Sequence, residues 1–489
     1  MDHLSSRELE NFKNSVGIKF QLYNSLFTSL PFHRIEKTGI LLSLFLAHCE
    51  EGYKKRQSPK EIVEEFFQKF TSLTTEQEQR DLLFRFVQYA ERQVVLFDAV
   101  EDAAFAEIND TIGIGTLKQL ETKVVQEGKS EALIEKLKEF SIALVLTAHP
   151  TQFYPGSVLG IINDLSNALK ANNAEQVNRY LQQLGKTPLL KKQRPTPYDE
   201  AISLVWYLEN VFYNAVGKCI SYLKQHFAGE DQWHNSIIKM GFWPGGDRDG
   251  NPNVSSETTL KVAEALRSSI IRCYYREVRS LKRRLTFKGV DTILAELETK
   301  LFQNVYEPGN GTELLSEEII APLASIREII IYQHNNLFLE RLDQLIDKVT
   351  VFGVHFASLD IRQESTVHGN VLEAIARKED RLPSNYDMLR EEEKMNVLVT
   401  TGGNVNPDHY EGLVKDTLDS VLSVKTIQQK NGEMGCNRYI ISQCKTALNV
   451  LEVYALFLLC GWKKEELSVD IVPLFETIED LKNARGVME

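Results

Sequence analysis

Three segments of this 489-residue sequence end a short apolar run on a side chain suited to acid–base, anion-binding or metal chemistry. "SIALVLTAHPT" delivers His149 just before Pro150, which bars a continuing strand and turns the chain. An imidazole there can act as a general acid or base, or partner a phosphate, near neutral pH. It can equally be a histidine hydrogen-bonded where a loop begins. "SLDIRQES" sets Arg362 between Asp360 and Glu364 on one face of an alternating strand. A guanidinium grips phosphate or carboxylate bidentately, but two flanking acids also fit an internal ion-pair ladder. "VDIVPLFET" carries Glu476. One carboxylate suffices for Mg²⁺ or Mn²⁺ when substrate oxygens and water complete the shell. Taken alone, Glu476 reads better as an acid at the start of a helix capped by Thr477.

A fourth segment, "GFWPGGDRDGNPNV" (241–254), holds four glycines, two prolines, two aspartates and an arginine. It can be neither a helix interior nor an ordinary strand. Asp247, Asp249 and Asn251 alternate as in a calcium loop, but Gly250 falls at position four instead of six, and there is no GKS or GKT of a phosphate loop. What remains is a rigid loop presenting Trp243, Asp247, Arg248 and Asp249, or a knot of turns held by Asp–Arg pairing. "QRPTPYDEA" (193–201) reads as a constrained loop leading into a capped helix at Asp199.

These side chains need elements to position them. Residues 1–140 read as helices. In "SPKEIVEEFFQKF", Ser58 caps, Pro59 suits the first turn and Glu61 completes a capping box ahead of an apolar stripe of Ile62, Val63, Phe66, Phe67 and Phe70. Thr75 and Glu78 repeat the box. Further helices are expected over 199–226, 257–286 and 314–348, with loops at 307–313 and 377–387. Strand candidates begin near Ser141, Gly353, Arg438 and Ser468, ending at His149, Arg362, Ser442 with Lys445, and Glu476. Strand–helix alternation implies parallel strands. Polar groups at their carboxyl ends are where a (β/α)₈ barrel places its site. An open doubly wound sheet does likewise, but no GxGxxG follows any of these strands.

Bulk properties narrow the class. A net charge of −12 argues against general nucleic-acid binding and against an anionic membrane surface. Six scattered cysteines without a CxxC fit a reducing, cytoplasmic setting. The polar N-terminus is no signal peptide, and "TGILLSLFLAHC" is far shorter than the roughly 20 residues a membrane span needs.

Taken together, five ordered segments resemble phosphoenolpyruvate carboxylase of the bacterial and plant type. They are "VLTAHPTQ" (145–152), "RPTPYDEA" (194–201), "GGDRDGNPNV" (245–254), "FGVHFASLDIRQES" (352–365) and "VPLFETIEDL" (472–481). The resemblance implies a mostly helical α/β chain: an N-terminal helical region over 1–140, then over 141–489 the first part of a TIM-type barrel wrapped by many extra helices. It implies conversion of phosphoenolpyruvate and bicarbonate to oxaloacetate and phosphate, an anaplerotic carbon fixation, in a cytoplasmic homotetramer. By the same resemblance His149 is catalytic, Arg362 is catalytic and contacts substrate phosphate, and Trp243, Arg248 and Asp247 line the substrate site. Glu476 is one carboxylate ligand of Mg²⁺ or Mn²⁺. Pro244 and Gln152 stand where bacterial members often carry methionine and glutamate. The family continues for several hundred residues past the Glu476 segment, with a "GYSDSxKD"-like stretch and an "HGRGG" loop that do not occur here. The expectation is therefore a barrel truncated before closure and a chain without carboxylase activity alone; a non-catalytic homologue that partners an intact carboxylase is the alternative.

Overall fold

The structure, a computed structural model, describes residues 6–30, 38–113, 115–147, 154, 156–189, 195–227, 237–307 and 314–489. The chain is mostly helical, with a few short parallel strands. It divides into two compact units, one of residues 1–122 with 149–194 and one of 123–148 with 195–489. His149 and Gln152 lie outside the described residues.

In the first unit, local signals and packing agree. The Ser58 side chain accepts from the Glu61 amide, the Glu61 carboxylate takes the Ser58 N–H at 2.7 Å, and Pro59 opens the helix Pro59–Phe70. Ile62, Phe66 and Phe67 of the expected stripe are buried, while Phe70 at its end stays 41% exposed. Thr75 and Glu78 cap the helix Glu76–Ile108 in the same way. Phe27, Phe66, Phe86, Leu96, Ile161 and Leu181 belong to one apolar core here. Arg92, almost fully buried, donates to the carbonyls of Gln88, Leu184 and Thr187.

The second unit carries the strands β1 (Ile142–Leu146), β2 (Ile238–Phe242), β3 (Ser358–Leu359), β4 (Ile361–Glu364), β5 (Arg438–Ser442) and β6 (Asp470–Pro473). β1, β2 and β3 pair in that order and β4, β5 and β6 in that order, all parallel. Parallel neighbours require long crossovers, and helices fill them. Ser365–Lys378 follows β4, Ala447–Leu459 follows β5 and Ile478–Met488 follows β6. Among the described residues the sheets are open.

Two helices differ from their sequence expectation. The stretch 314–348 is two helices, Ser316–Gln333 and Leu339–Phe352. Asn335, Asn336 and Phe338 break it with φ of 50°, 61° and 62°, and asparagine tolerates that left-handed region well. The stretch 199–226 is Pro197–Tyr207 and Tyr213–Phe227 joined by a π-helical turn. Thr196 caps the first of these reciprocally with Asp199. The strand expected from Gly353 begins only at Ser358, because Gly353 sits at φ 51° in a turn.

Between β3 and β4 the strand changes partner at Asp360. Its N–H still donates to Phe242 at 3.0 Å, but two residues later the Arg362 N–H donates to the Gly246 carbonyl at 3.0 Å, and the Arg248 N–H donates back to the Arg362 carbonyl at 2.8 Å. The glycine-rich loop thus continues the β2 edge and joins the two sheets at an Asp247–Arg362 bridge. Such close approach excludes a side chain: a Cβ on Gly246 would lie 2.1 Å from the Asp360 carbonyl oxygen. At Gly250 there is open space and only φ +66° objects. Gly246→Ala is therefore expected to cost at least about 1–3 kcal/mol, and Gly250→Ala about 1 kcal/mol. Urea unfolding of the two variants checks this; equal losses would refute the close approach.

Candidate functional site

The loop after β2 is built by turns. Trp243 donates its amide to Leu146 of β1, and its carbonyl takes the N–H of both Gly246 and Asp247 at 2.9 Å. Gly245 at φ +84° permits that reversal. Asp247 and Asn251 each accept an amide two residues on, the short-range turns these side chains favour. Ser255 then caps the helix Ser256–Lys282. With the backbone of 246–248 held against β4 as a strand would be, successive side chains alternate in direction.

On one side of that alternation Asp247 and Asp249 face Arg362. Asp247 Oδ1 accepts Arg362 Nε at 2.7 Å, and Asp249 Oδ2 stands 3.4 Å from Arg362 Nη2. The guanidinium carbon sits 5.2 Å from the centroid of the Trp243 ring, a cation–π distance. Burial opposes the arginine's charge, but the hydrogen bond and field of Asp247, with Asp249 and Glu476 adding, hold its pKa above the ordinary value. Arg362 remains 19% exposed, so it is reachable. The alternative, a ladder with Asp360 and Glu364, does not form: Arg362 takes both of its acids from the loop, and Asp360 pairs with Arg438.

Glu476 follows β6 and is exposed. The helix cap beside it is complete without it, since Thr477 and Asp480 bond reciprocally. The Glu476 carboxylate instead accepts the Gln443 amide at 3.1 Å, just past the end of β5. Trp243, Asp247, Asp249, Arg362 and Glu476 therefore gather at one end of the parallel strands. Among the described residues no group of three or more His, Cys, Asp or Glu stands ready to hold a metal ion. The donor set fits an ion that takes one carboxylate from the protein and its other ligands from substrate and water. A separate cavity of about 750 Å³, lined by residues including Tyr198, Ile202, Trp206 and Leu260, shares no residue with this cluster.

On the other side of the alternation Arg248 turns away from the cluster. Its side chain is 3% exposed and pairs with Asp416, which also accepts the Ser256 amide at 3.0 Å at the start of the following helix. Behind it lies His368, fully buried, with Nε2 3.0 Å from the Tyr439 hydroxyl. Burial, with the charge of Arg248 adding, pushes the His368 imidazole down to about 3. Asp416 lies in no motif and sequence reading passed over it, and Arg438 was read only as the start of a strand. Asp249 was legible from the Asp–Arg–Asp alternation.

Two outcomes follow. Asp416→Ala leaves a buried guanidinium unpaired and is expected to cost about 3 kcal/mol, more than Asp416→Asn, by urea unfolding. His368 is depressed in the fold, so the unfolded chain binds a proton below about pH 6.5 that the native chain refuses until about pH 3. Its stabilising contribution is present above pH 6.5 and is lost as pH falls. His368→Gln should flatten the decline in unfolding free energy between pH 7 and pH 5; an unchanged slope would contradict a neutral native imidazole.

Known proteins resemble this chain along most of its length. A family model described as phosphoenolpyruvate carboxylase matches residues 53–308 and 308–489. A phosphoenolpyruvate carboxylase of Gloeobacter violaceus is 27% identical over 458 residues, covering 78% of this chain and 48% of that protein. One of Prochlorococcus marinus is 28% identical over 448 residues, covering 75% and 45%. One of Parasynechococcus marenigrum is 27% identical over 437 residues, covering 72% and 43%. The chain spans about half the length of the curated relatives it matches. With the family model running from residue 53 to the last residue and the glycine-rich loop, β4 and Glu476 inside the match, the chain belongs to the phosphoenolpyruvate carboxylase family.

Proposed function

We propose that this chain carries the phosphoenolpyruvate- and metal-binding part of phosphoenolpyruvate carboxylase, whose reaction joins phosphoenolpyruvate and bicarbonate to give oxaloacetate and phosphate, and that the chain alone does not turn it over. Its parallel strands belong to a (β/α)₈ barrel, and the chain before residue 140 is an N-terminal helical region. The observation that carries the reading is Arg362, a reachable guanidinium stacked on Trp243 and oriented by Asp247 and Asp249, with Glu476 within its electrostatic reach. Family membership supplies the substrate class.

The residues suit the reaction's difficulty. Bicarbonate is a weak nucleophile and phosphoenolpyruvate is an anion, so the two repel. Fixed positive charge at the phosphate lowers that barrier. Asp247 holds the Nε edge of Arg362, which directs the other edge of the fork outward for two phosphate oxygens. Asp249, at 3.4 Å, is the weaker partner and the one a phosphate displaces. The Trp243 ring removes water from beneath the guanidinium and strengthens its pull on an anion. Glu476 is the protein ligand for Mg²⁺ or Mn²⁺, an ion that when bound neutralises developing oxygen charge. His149 is the proposed acid–base residue.

Calorimetric titration of phosphoenolpyruvate into the purified chain with Mg²⁺ tests the binding, and the chain alone is expected to form no oxaloacetate with bicarbonate; oxaloacetate at ordinary enzymatic rates would refute its inactivity. Arg362→Ala is expected to weaken binding about 100-fold, and Arg362→Lys to restore only part of it. Glu476→Gln should abolish the Mg²⁺ enhancement while metal-free binding persists. Undiminished binding by Arg362→Ala would remove the assignment.

A further inference from the structure

The indole of Trp243 has one polar group, its N–H, and the fold has already used it. Trp243 Nε1 donates to Asp360 Oδ2 at 3.0 Å. The other oxygen of that carboxylate, Oδ1, accepts Arg438 Nε at 2.9 Å. Asp360 is 3% exposed. Its backbone cannot drift, because its N–H is bonded to Phe242 and its carbonyl is pressed against Gly246. Arg438 opens β5 opposite the residue before Ile361, since Ile361 pairs with Tyr439. A line of contacts therefore runs Arg438, Asp360, Trp243, Arg362, with the last step a ring face under a guanidinium at 5.2 Å.

We infer that Asp360 and Arg438 are positioning residues that fix the Trp243 indole by its edge, so that Trp243 serves the anion site through its ring face alone and offers no hydrogen bond to substrate. This deepens the carboxylase reading of the Arg362 site and rests on it. An indole is a single donor, and one bound to a buried carboxylate does not also reach a small oxyanion. A tryptophan free to turn about its two side-chain torsions would present its edge as readily as its face. Asp360 removes that freedom, and Arg438, paired with its other oxygen at 2.9 Å, holds the buried side chain in place. The result is a flat apolar floor at a fixed angle beneath the arginine fork. Burial raises the Asp360 carboxyl above its ordinary value, and Arg438 and the indole N–H offset only part of that rise.

The test uses the full chain labelled with ¹⁵N-indole tryptophan, the Trp243 signal being the one lost in Trp243→Phe. In the parent this N–H is expected to exchange slowly with solvent. In Asp360→Ala it should exchange faster and shift, and phosphoenolpyruvate binding should weaken about 10-fold, the size of one cation–π contact. Asp360→Asn keeps an acceptor oxygen and should recover part of both. Arg438→Gln approaches the same network from its outer end if Asp360→Ala does not fold, and should loosen the indole N–H in the same sense. Asp360→Ala combined with Trp243→Phe should bind no more weakly than Trp243→Phe alone, because both act through one ring. An indole N–H unmoved by Asp360→Ala, or by Arg438→Gln where that variant stands in, overturns the inference. So does full additivity in the double variant. If the parent binds no phosphoenolpyruvate, the carboxylase reading fails, while the indole exchange still decides whether Asp360 positions Trp243.

Discussion

Two main-chain hydrogen bonds, from the Arg362 amide to the Gly246 carbonyl and from the Arg248 amide to the Arg362 carbonyl, govern the geometry of the candidate site. They make a glycine-rich loop behave as one more length of parallel strand. Once the loop is strand-like, its side chains must alternate. Asp247 and Asp249 go to the side where Arg362 lies, and Arg248 goes to the side where Asp416 lies. Gly246 is the residue that allows the approach, since any Cβ there collides with the Asp360 carbonyl.

The electrostatics follow from that arrangement. In a chain of net charge −12, Arg362 is surrounded by acids and still partly exposed. Asp247 orients it, Trp243 covers one face, and Asp249 stands further off at 3.4 Å. The pair on the reverse side does different work. Arg248 is buried and Asp416 only half-buried; their pairing fixes which way the loop faces, and Asp416 also ties the start of the next helix to it. Arg248 itself lies against Asp416, on the reverse side of the loop from Asp247 and Asp249.

Much of the chain was legible residue by residue. The capping boxes at Ser58 and Thr75 and the helices that follow them stand where local chemistry places them, and β5 ends at Ser442 as its apolar run suggests, whereas Arg362 is the second residue of β4 and Glu476 follows the end of β6. The rest escaped for identifiable reasons. The break at 334–338 falls where the sequence reads Gln-His-Asn-Asn, four polar residues in a row, and Asn335 and Asn336 take the left-handed conformation there. For Glu476, sequence left a helix-end acid and a metal ligand both open, and the completed Thr477–Asp480 cap shows that the helix start does not need it.

What the sequence by itself determined is the set of elements and the presence of charged groups at strand ends, because capping, turn chemistry and apolar periodicity act over a few residues. What only the tertiary structure decided is which charge meets which. Arg362 finds Asp247 across 115 residues, Arg248 finds Asp416 across 168, and Arg438 finds Asp360 across 78. An alternating strand announces that Asp360 and Arg362 share a face, but a strand that changes partner at Asp360 gives each a different counter-charge. Pairings of that kind depend on which strand lies alongside, and no spacing within one segment records its neighbour.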